Sequence, residues 1–262
     1  MTIVPPLLAG LGALLAASTL AWLASVRRRD VSIVDICWGP GFALAAWLYC
    51  AMCDAVEPRP LLVAALVTLW GVRLAAHIYL RHRGQAEDPR YVAIRRRHGE
   101  PFWWRSLFIV FWLQAALAWF ISLPIFAVAY GRGPAAVTAA DVAGVLLFAI
   151  GFAFETIGDY QLERFRSLPA NRGRVLDTGL WRYTRHPNYF GDALLWWGLY
   201  LIAASAPGAW LMVASPLLMT FLLLRVSGVT LLERGLVASK PAYADYIART
   251  SPFLPWFARR QS

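Results

Sequence analysis

Apolar residues along this 262-residue chain are gathered into long runs, with polar residues confined to the gaps between them. Runs near the roughly 20-residue length needed to cross a bilayer fall at 3–25, 31–53, 60–80, 106–129, 141–161, 189–206 and 209–230. The pattern predicts an all-α integral membrane protein with seven transmembrane helices. It reads as one transmembrane domain, residues 1–140 carrying the first four helices and residues 141–262 the rest. The first run has no basic residue ahead of it and Arg27, Arg28 and Arg29 behind it. That is the reverse of a cleavable secretory signal, so the run is read as a mature helix.

Composition agrees: 59% hydrophobic, 15% charged and a mean hydropathy of +0.52 are too apolar for a soluble domain of this size. A net charge of +10 would suit nucleic acid, but the arginines sit in particular loops rather than on one soluble face. They give topology instead. Arg27–Arg29 follow the first run; Arg81, Arg83, Arg90, Arg95, Arg96, Arg97 and Arg105 follow the third; Arg164, Arg166, Arg172, Arg174, Arg182 and Arg185 follow the fifth. The intervening loops hold little beyond Arg59 and Arg132. By the positive-inside rule the odd loops and the tail with Arg234, Lys240, Arg249, Arg259 and Arg260 are cytoplasmic, and the N-terminus is outside. Seven spans require that parity. Of the three cysteines, Cys50 and Cys53 form a C-x-x-C that suits apolar packing or an outer-face disulfide; metal binding would need two more ligands, and none is near.

Seven ionisable residues fall inside or at the inner edge of the apolar runs: Asp35, Arg73, His77, Glu155, Asp159, Asp192 and Arg225. At about 3 kcal/mol each they would cost on the order of 20 kcal/mol if they faced lipid. They must face one another, water or a ligand. By their distance from the basic loops all seven belong to the inner half of the bilayer, which favours one cytoplasm-facing polar cavity over a transport path. Glu155 and Asp159 are four apart, as are Asn188 and Asp192, so each pair shares a helix face.

The fifth loop joins those two faces and carries six arginines, together with Tyr183 and His186. Guanidinium forks suit phosphate oxygens, and amides and carboxylates suit the hydroxyls and carboxamide of a nucleotide. Such a loop also sets topology and meets anionic headgroups. No G-x-G-x-x-G follows a strand and no G-x-x-x-x-G-K-[ST] is present, so any nucleotide must be held by the helix bundle itself.

The stretch GDYQLERFRSLPANRGRVLDTGLWRYTRHPNYFGD, residues 158–192, with LLERGLVASKPAYADY, residues 231–246, resembles the steroid 5-alpha-reductase family. Sterol reductases share T/S-G-W/L-W-x-x-x-R-H-x-N-Y-x-G-D, matched from Thr178 to Asp192, and the membrane methyltransferases of prenylated cysteine carry a similar R-H-P-x-Y-x-G. The resemblance runs from about residue 141 to the end and is weaker before it. It implies a seven-helix protein of the bacterial inner membrane that holds NADPH in a cytoplasm-facing cavity and reduces the 4,5 double bond of a 3-oxo-Δ4-steroid. Carried over residue by residue, the cofactor set is Asp159, Arg166, Arg174, Tyr183, His186, Asn188 and Asp192, with Arg73, Glu155, Arg172, Arg182, Glu233 and Tyr246 as additions. Relatives place an asparagine where this chain has Glu155.

Hydride reduction of an enone also needs a group that stabilises the enolate. The resemblance implies a glutamate and a tyrosine; the matching positions here hold Asp35 and, three residues before Arg73, Trp70. Asp35 is expected as a protonated hydrogen-bond donor in an apolar cavity, while an indole N–H donates a bond and no proton. Tyr79 is another candidate for the tyrosine. The expected partners are a steroid or other apolar enone and membrane lipid, with no nucleic acid and no protein partner. Two competing readings are methyl transfer from S-adenosylmethionine, which has no phosphate to engage six arginines, and a noncatalytic sterol-binding protein. The tryptophans at 103, 104, 112, 119, 196 and 197 read as interface belt and packing, RRRHGE at 95–100 as a lipid-contact patch, and 235–262 as an interfacial helix and lid.

Overall fold

A computed structural model describes residues 3–258 apart from 54–56, 132, 135, 227, 228, 230–232, 234, 235, 238 and 239. Arg132, Arg234, Arg259 and Arg260, used above for orientation, lie outside the described residues, as does part of the expected tail helix. Among the described residues the regular structure is all helical. Six helices are long and apolar enough to cross a membrane by length and composition: α1 (Val4–Arg28), α2 (Ile33–Ala51), α3 (Pro58–His82), α5 (Phe102–Ile121), α7 (Ala139–Ser167) and α9 (Ala209–Val226). Shorter helices are α4 (Pro89–His98), α6 (Leu123–Tyr130), α8 (Pro187–Ala203) and α10 (Tyr243–Arg249). The expected span 189–206 corresponds to α8, which has 17 residues, ten of them buried, and is shorter than the other six. The expected span 106–129 breaks at Ser122, because Pro124 lacks the N–H that would continue the ladder.

The chain forms two compact units, Met1–Gly133 and Pro134–Ser262. In the first, α1 ends where Arg29 takes the left-handed conformation (φ 54°). Helices α2 and α3 meet at Gly39 and Gly71, where a Cβ on either glycine would lie 2.5 Å from the other's carbonyl oxygen. Only two residues without side chains permit that approach. Val31, Val34, Tyr91, Phe102, Val110 and Phe111 form one buried cluster that ties α4 to α2 and α5, with Trp22 of α1 against it. Within α5, residues Leu107–Trp112 form a wider π-helical stretch that ends two residues before Gln114.

In the second unit, α7 starts at a capping box in which Thr138 and Asp141 bond reciprocally. Its glycines at 144, 151 and 158 recur every seven residues and face α8. Gly144 lies against Gly198, Gly151 against Gly191, and Gly158 against the backbone N of Asn188. This seam lets the two backbones touch over most of α8 and fixes the register of the polar residues at its lower end.

Candidate functional site

The first unit carries a polar cluster at the start of α2. Asp35, in the first turn, accepts from Arg90 Nη2 at 2.7 Å on one oxygen and from the Tyr91 hydroxyl at 2.6 Å on the other. Both partners come from α4, 55 and 56 residues away. Asp88 caps α4 by accepting from the Arg90 backbone N at 2.8 Å and also takes Arg90 Nε at 2.9 Å. The loop before α4 is pinned to α2: the Val31 N donates to Glu87 at 2.8 Å, and the Asp88 N donates to Ser32 Oγ at 2.8 Å.

Burial opposes the Asp88 charge, but the bonds and charge of Arg90 outweigh it and hold the carboxyl below its ordinary range. Tyr91 is 6% exposed. Burial first, and then the Asp35 charge, push its phenol well above the ordinary value, so it keeps its proton.

Gln114 Nε2 lies 3.4 Å from the Tyr91 hydroxyl and also lines a small half-open cleft of about 20 Å³, room for about one water. The cleft runs between α1, α2 and α5 and is otherwise apolar apart from Ser18 and Cys37, with Leu14, Val34, Trp38, Phe111 and Ala118 in its walls. Tyr91, Arg90 and Gln114 were not singled out as site residues from the sequence. Trp70 is fully buried edge-on against Phe42, and Tyr79 is 50% exposed. Asp35, with both oxygens accepting, is built here as the acceptor that orients Tyr91. In that contact Tyr91 is the donor.

In the second unit the seam brings Glu155, Asp159, Asn188 and Asp192 together. Asn188 Nδ2 donates to Asp159 Oδ1 at 3.0 Å, Gly191 packs on the backbone of Glu155, and Glu155, Asp159 and Asp192 are buried. Trp181 Nε1 donates to the Gly158 carbonyl at 3.1 Å, and the Leu180 N donates to Gln161 Oε1 at 3.0 Å, so the returning loop lies on α7. Arg166, Arg172, Arg174, Arg182 and Tyr183 are exposed. Gly173, at φ +77° with open space around it, turns the chain between Arg172 and Arg174.

Arg185 behaves differently. It is 6% exposed and gives Nε and Nη2 to the two oxygens of Glu233 at 2.7 and 3.1 Å. Its Nη1 reaches the carbonyls of Thr250 and Ile247 at 2.5 and 3.2 Å. His186 Nε2 shares Glu233 Oε1 at 3.0 Å and stacks on Tyr189. Burial alone would raise the Glu233 pKa, but the bonds from His186 and Arg185 outweigh it and hold the carboxyl below its ordinary range. Burial and the Glu233 charge push Tyr243 up to about 12.

The tail then straps the loop. The Arg185 N donates to the Ser251 carbonyl at 2.9 Å, Thr184 Oγ1 to the Phe253 carbonyl at 2.8 Å, and the Trp256 N to the Tyr183 carbonyl at 2.9 Å. Tyr246 donates to the Trp181 carbonyl, Arg249 pairs with Asp177 at 2.5 Å, and Lys240 Nζ donates to the Arg174 carbonyl at 2.7 Å. Glu233, His186 and Tyr246, expected to touch a cofactor, tie the loop and the tail together. Arg73 belongs to the first unit, on α3 two residues past Gly71. Among the described residues no group of three or more His, Cys, Asp and Glu side chains is placed to hold a metal, and Cys37, Cys50 and Cys53 are free thiols.

One family's sequence pattern matches residues 21–250, and its description reads "Protein of unknown function (DUF1295)". The chain belongs to that family. It is also similar to the uncharacterized protein C594.04c of Schizosaccharomyces pombe, 29% identical over 212 residues, covering 71% of this chain and 61% of the relative. No solved structure matches the chain.

Proposed function

We propose that this protein is a membrane-embedded, NADPH-dependent reductase of an apolar enone, with 3-oxo-Δ4-steroids as the substrate class. The observation that carries the reading is a buried phenol behind Gln114, a polar residue in the wall of an apolar cleft. Tyr91 is oriented by Asp35 at 2.6 Å and linked to the cleft wall by Gln114. The apolar lining suits a flat apolar molecule with a single carbonyl once the walls part to admit it, since the cleft as it stands holds about one water, and the carbonyl needs one strong donor. Supporting the cofactor half are the resemblance at residues 158–192 and the exposed Arg172, Arg174 and Arg182.

Those arginines fit the phosphates of NADPH, and the Asp159–Asn188 pair offers acceptor and donor groups for its ribose and carboxamide. NADPH would supply the hydride that the β carbon of the enone takes. Tyr91 turns its hydroxyl hydrogen from Asp35 to the carbonyl oxygen and stabilises the enolate as charge develops. Arg90 keeps Asp35 satisfied while it does so. The α carbon then takes a proton from water, and the saturated ketone leaves. On this reading α8 also crosses the bilayer, giving seven spans with the arginine loop at the cytoplasmic face of a bacterial inner membrane.

The test is to give purified full-length protein in nanodiscs NADPH and a 3-oxo-Δ4-steroid, and to follow nicotinamide absorbance and product mass. Loss of absorbance with a product heavier by two hydrogens supports the reading. Tight steroid binding with unchanged absorbance across a panel of enones points to a noncatalytic sterol binder. Binding of S-adenosylmethionine in place of NADPH points to methyl transfer. Either outcome sinks the proposal.

A further inference from the structure

The core cluster of the first unit gathers three chain segments whose outer faces carry many unneutralised charges. Val31 follows the end of α1, where Arg27, Arg28 and Arg29 are exposed. Helix α4 turns Tyr91, Ile94 and His98 inward, three and four residues apart, and leaves Arg96 and Arg97 outside. Phe102 opens α5, followed by Trp103 and Trp104, which are 56% and 43% exposed, and by exposed Arg105.

Contacts join these segments. Trp22 of α1 stacks on Trp103 and donates to its carbonyl at 2.9 Å, Arg95 lies 4.8 Å over the Phe102 ring, and Arg105 lies 5.6 Å over Trp104. Of the carboxylates nearby, Glu87 pairs with Arg95 and both Asp35 and Asp88 with Arg90, while Asp30 accepts from the Ser32 N and Glu100 is exposed. Among the described residues no salt bridge engages Arg27, Arg28, Arg29, Arg96, Arg97 or Arg105.

We propose that this face is a docking surface for anionic phospholipid headgroups, and that docking holds α4 against the start of α2. Six guanidinium groups against the two carboxylates Asp30 and Glu100 leave a net positive face that attracts anions from outside the chain. The identity of those anions follows from the aromatics. Trp103 and Trp104 open a 20-residue apolar helix, so the surface lies where α5 leaves the apolar layer. Tryptophan prefers that depth, and a soluble polyanion would leave both rings uncovered. Because α4 supplies Tyr91 and Arg90 to Asp35, seating α4 on the leaflet also orders that cluster. The surface stands on its own geometry and does not depend on the reductase reading.

The test uses full-length protein in nanodiscs of phosphatidylcholine alone or with phosphatidylglycerol added, with retained lipid read by native mass spectrometry and amide exchange read over residues 88–98. Phosphatidylglycerol is expected to be retained selectively and to slow that exchange. The triple variant Arg96→Gln/Arg97→Gln/Arg105→Gln should lose roughly 100-fold in that selectivity, and lysine at the same three positions should keep most of it. Arg164→Gln, an exposed arginine at the end of α7, should keep it fully. Equal retention by wild type and the glutamine variant overturns the surface. Lost retention with unchanged exchange over 88–98 overturns the hold on α4. Inorganic phosphate that slows exchange as well as phosphatidylglycerol does would show an ion site instead, and also overturns the proposal.

Discussion

Glu233→Gln tests whether the loop before α8 is held by the buried ion pair or only by the backbone strap. In the wild type the two Glu233 oxygens receive Arg185 Nε at 2.7 Å, Arg185 Nη2 at 3.1 Å and His186 Nε2 at 3.0 Å. Glutamine keeps one acceptor and turns its NH₂ toward a second donor, so one charge-assisted bond worth about 1.5–3 kcal/mol is lost. The guanidinium also loses its counter-charge, and breaking a buried pair outright costs about 3–5 kcal/mol. Arg185 Nη1 still bonds the Thr250 and Ile247 carbonyls, which keeps the total near the lower bound. A loss of about 3 kcal/mol is roughly a 100-fold rise in tail opening.

The Arg185 and Trp256 amides, bonded to the Ser251 and Tyr183 carbonyls, report that opening directly by hydrogen exchange. Asp177→Asn is the comparison. It also removes a tail contact, but Arg249 and Asp177 are 39% and 37% exposed, so solvent screens the pair and it contributes at most about 1 kcal/mol. If Glu233→Gln changes exchange at those two amides no more than Asp177→Asn does, the buried pair does not hold the loop and the reasoning fails.

Acid should act on the same contact. The Glu233 pKa is lowered in the folded chain, so its contribution is complete above the unfolded value of about 4.3 and disappears as pH falls through the folded value. Tail exchange in wild type should therefore rise in that acid window, and in Glu233→Gln it should not respond there. Tyr91→Phe should lower kcat by about 10²–10³-fold with NADPH affinity unchanged; full turnover by this variant would remove the phenol from the chemistry. Asn188→Ala, by losing one bond to a charged partner, should weaken NADPH binding by roughly tenfold, read by titration of the purified protein. Gly191→Ala drives a methyl group into the Gly151 carbonyl and Glu155 backbone and should cost about 3 kcal/mol, whereas Gly173→Ala meets open space and pays only about 1 kcal/mol for its left-handed backbone. Equal thermal stability of these two variants would refute the seam.

Hydrophobic run length placed most of the helices, because apolar side chains must cover a fixed span and that demand is written locally. The run at 60–80 became Pro58–His82, and 141–161 became a longer helix, Ala139–Ser167. The i,i+4 pairs also came out on facing surfaces, with Asp159 bonded to Asn188. What escaped were contacts between residues distant in the chain. Tyr91 meets Asp35 across 56 residues and Arg185 meets Glu233 across 48, and no periodicity encodes such a meeting. Both arginines were read as loop charge, since Arg90 and Arg185 sit among other arginines that are exposed. One missed signal was present: glycines at 144, 151 and 158 repeat every seven residues, the spacing of a close helix seam. The break at Ser122 was legible too, from Pro124.

The two units solve a similar problem in the same way. A guanidinium drawn partly or wholly out of water, as Arg90 at 35% and Arg185 at 7% side-chain exposure are, is costly unless its donors are matched, which favours one register of the segment that carries it. Arg90 bonds Asp35 and Asp88 at once, and that register sets the Tyr91 hydroxyl on the second Asp35 oxygen. Arg185 bonds Glu233 and two tail carbonyls, and that register sets His186 on Glu233, two residues before Asn188 on the seam. In each case the arginine is a clamp and its neighbour in sequence is the group being aimed. A lysine at 90 would keep the charge but has a single nitrogen. It cannot span from Asp88 to Asp35 as Nε and Nη2 do, so α4 would lose the constraint that aims the phenol while its charge balance stayed the same.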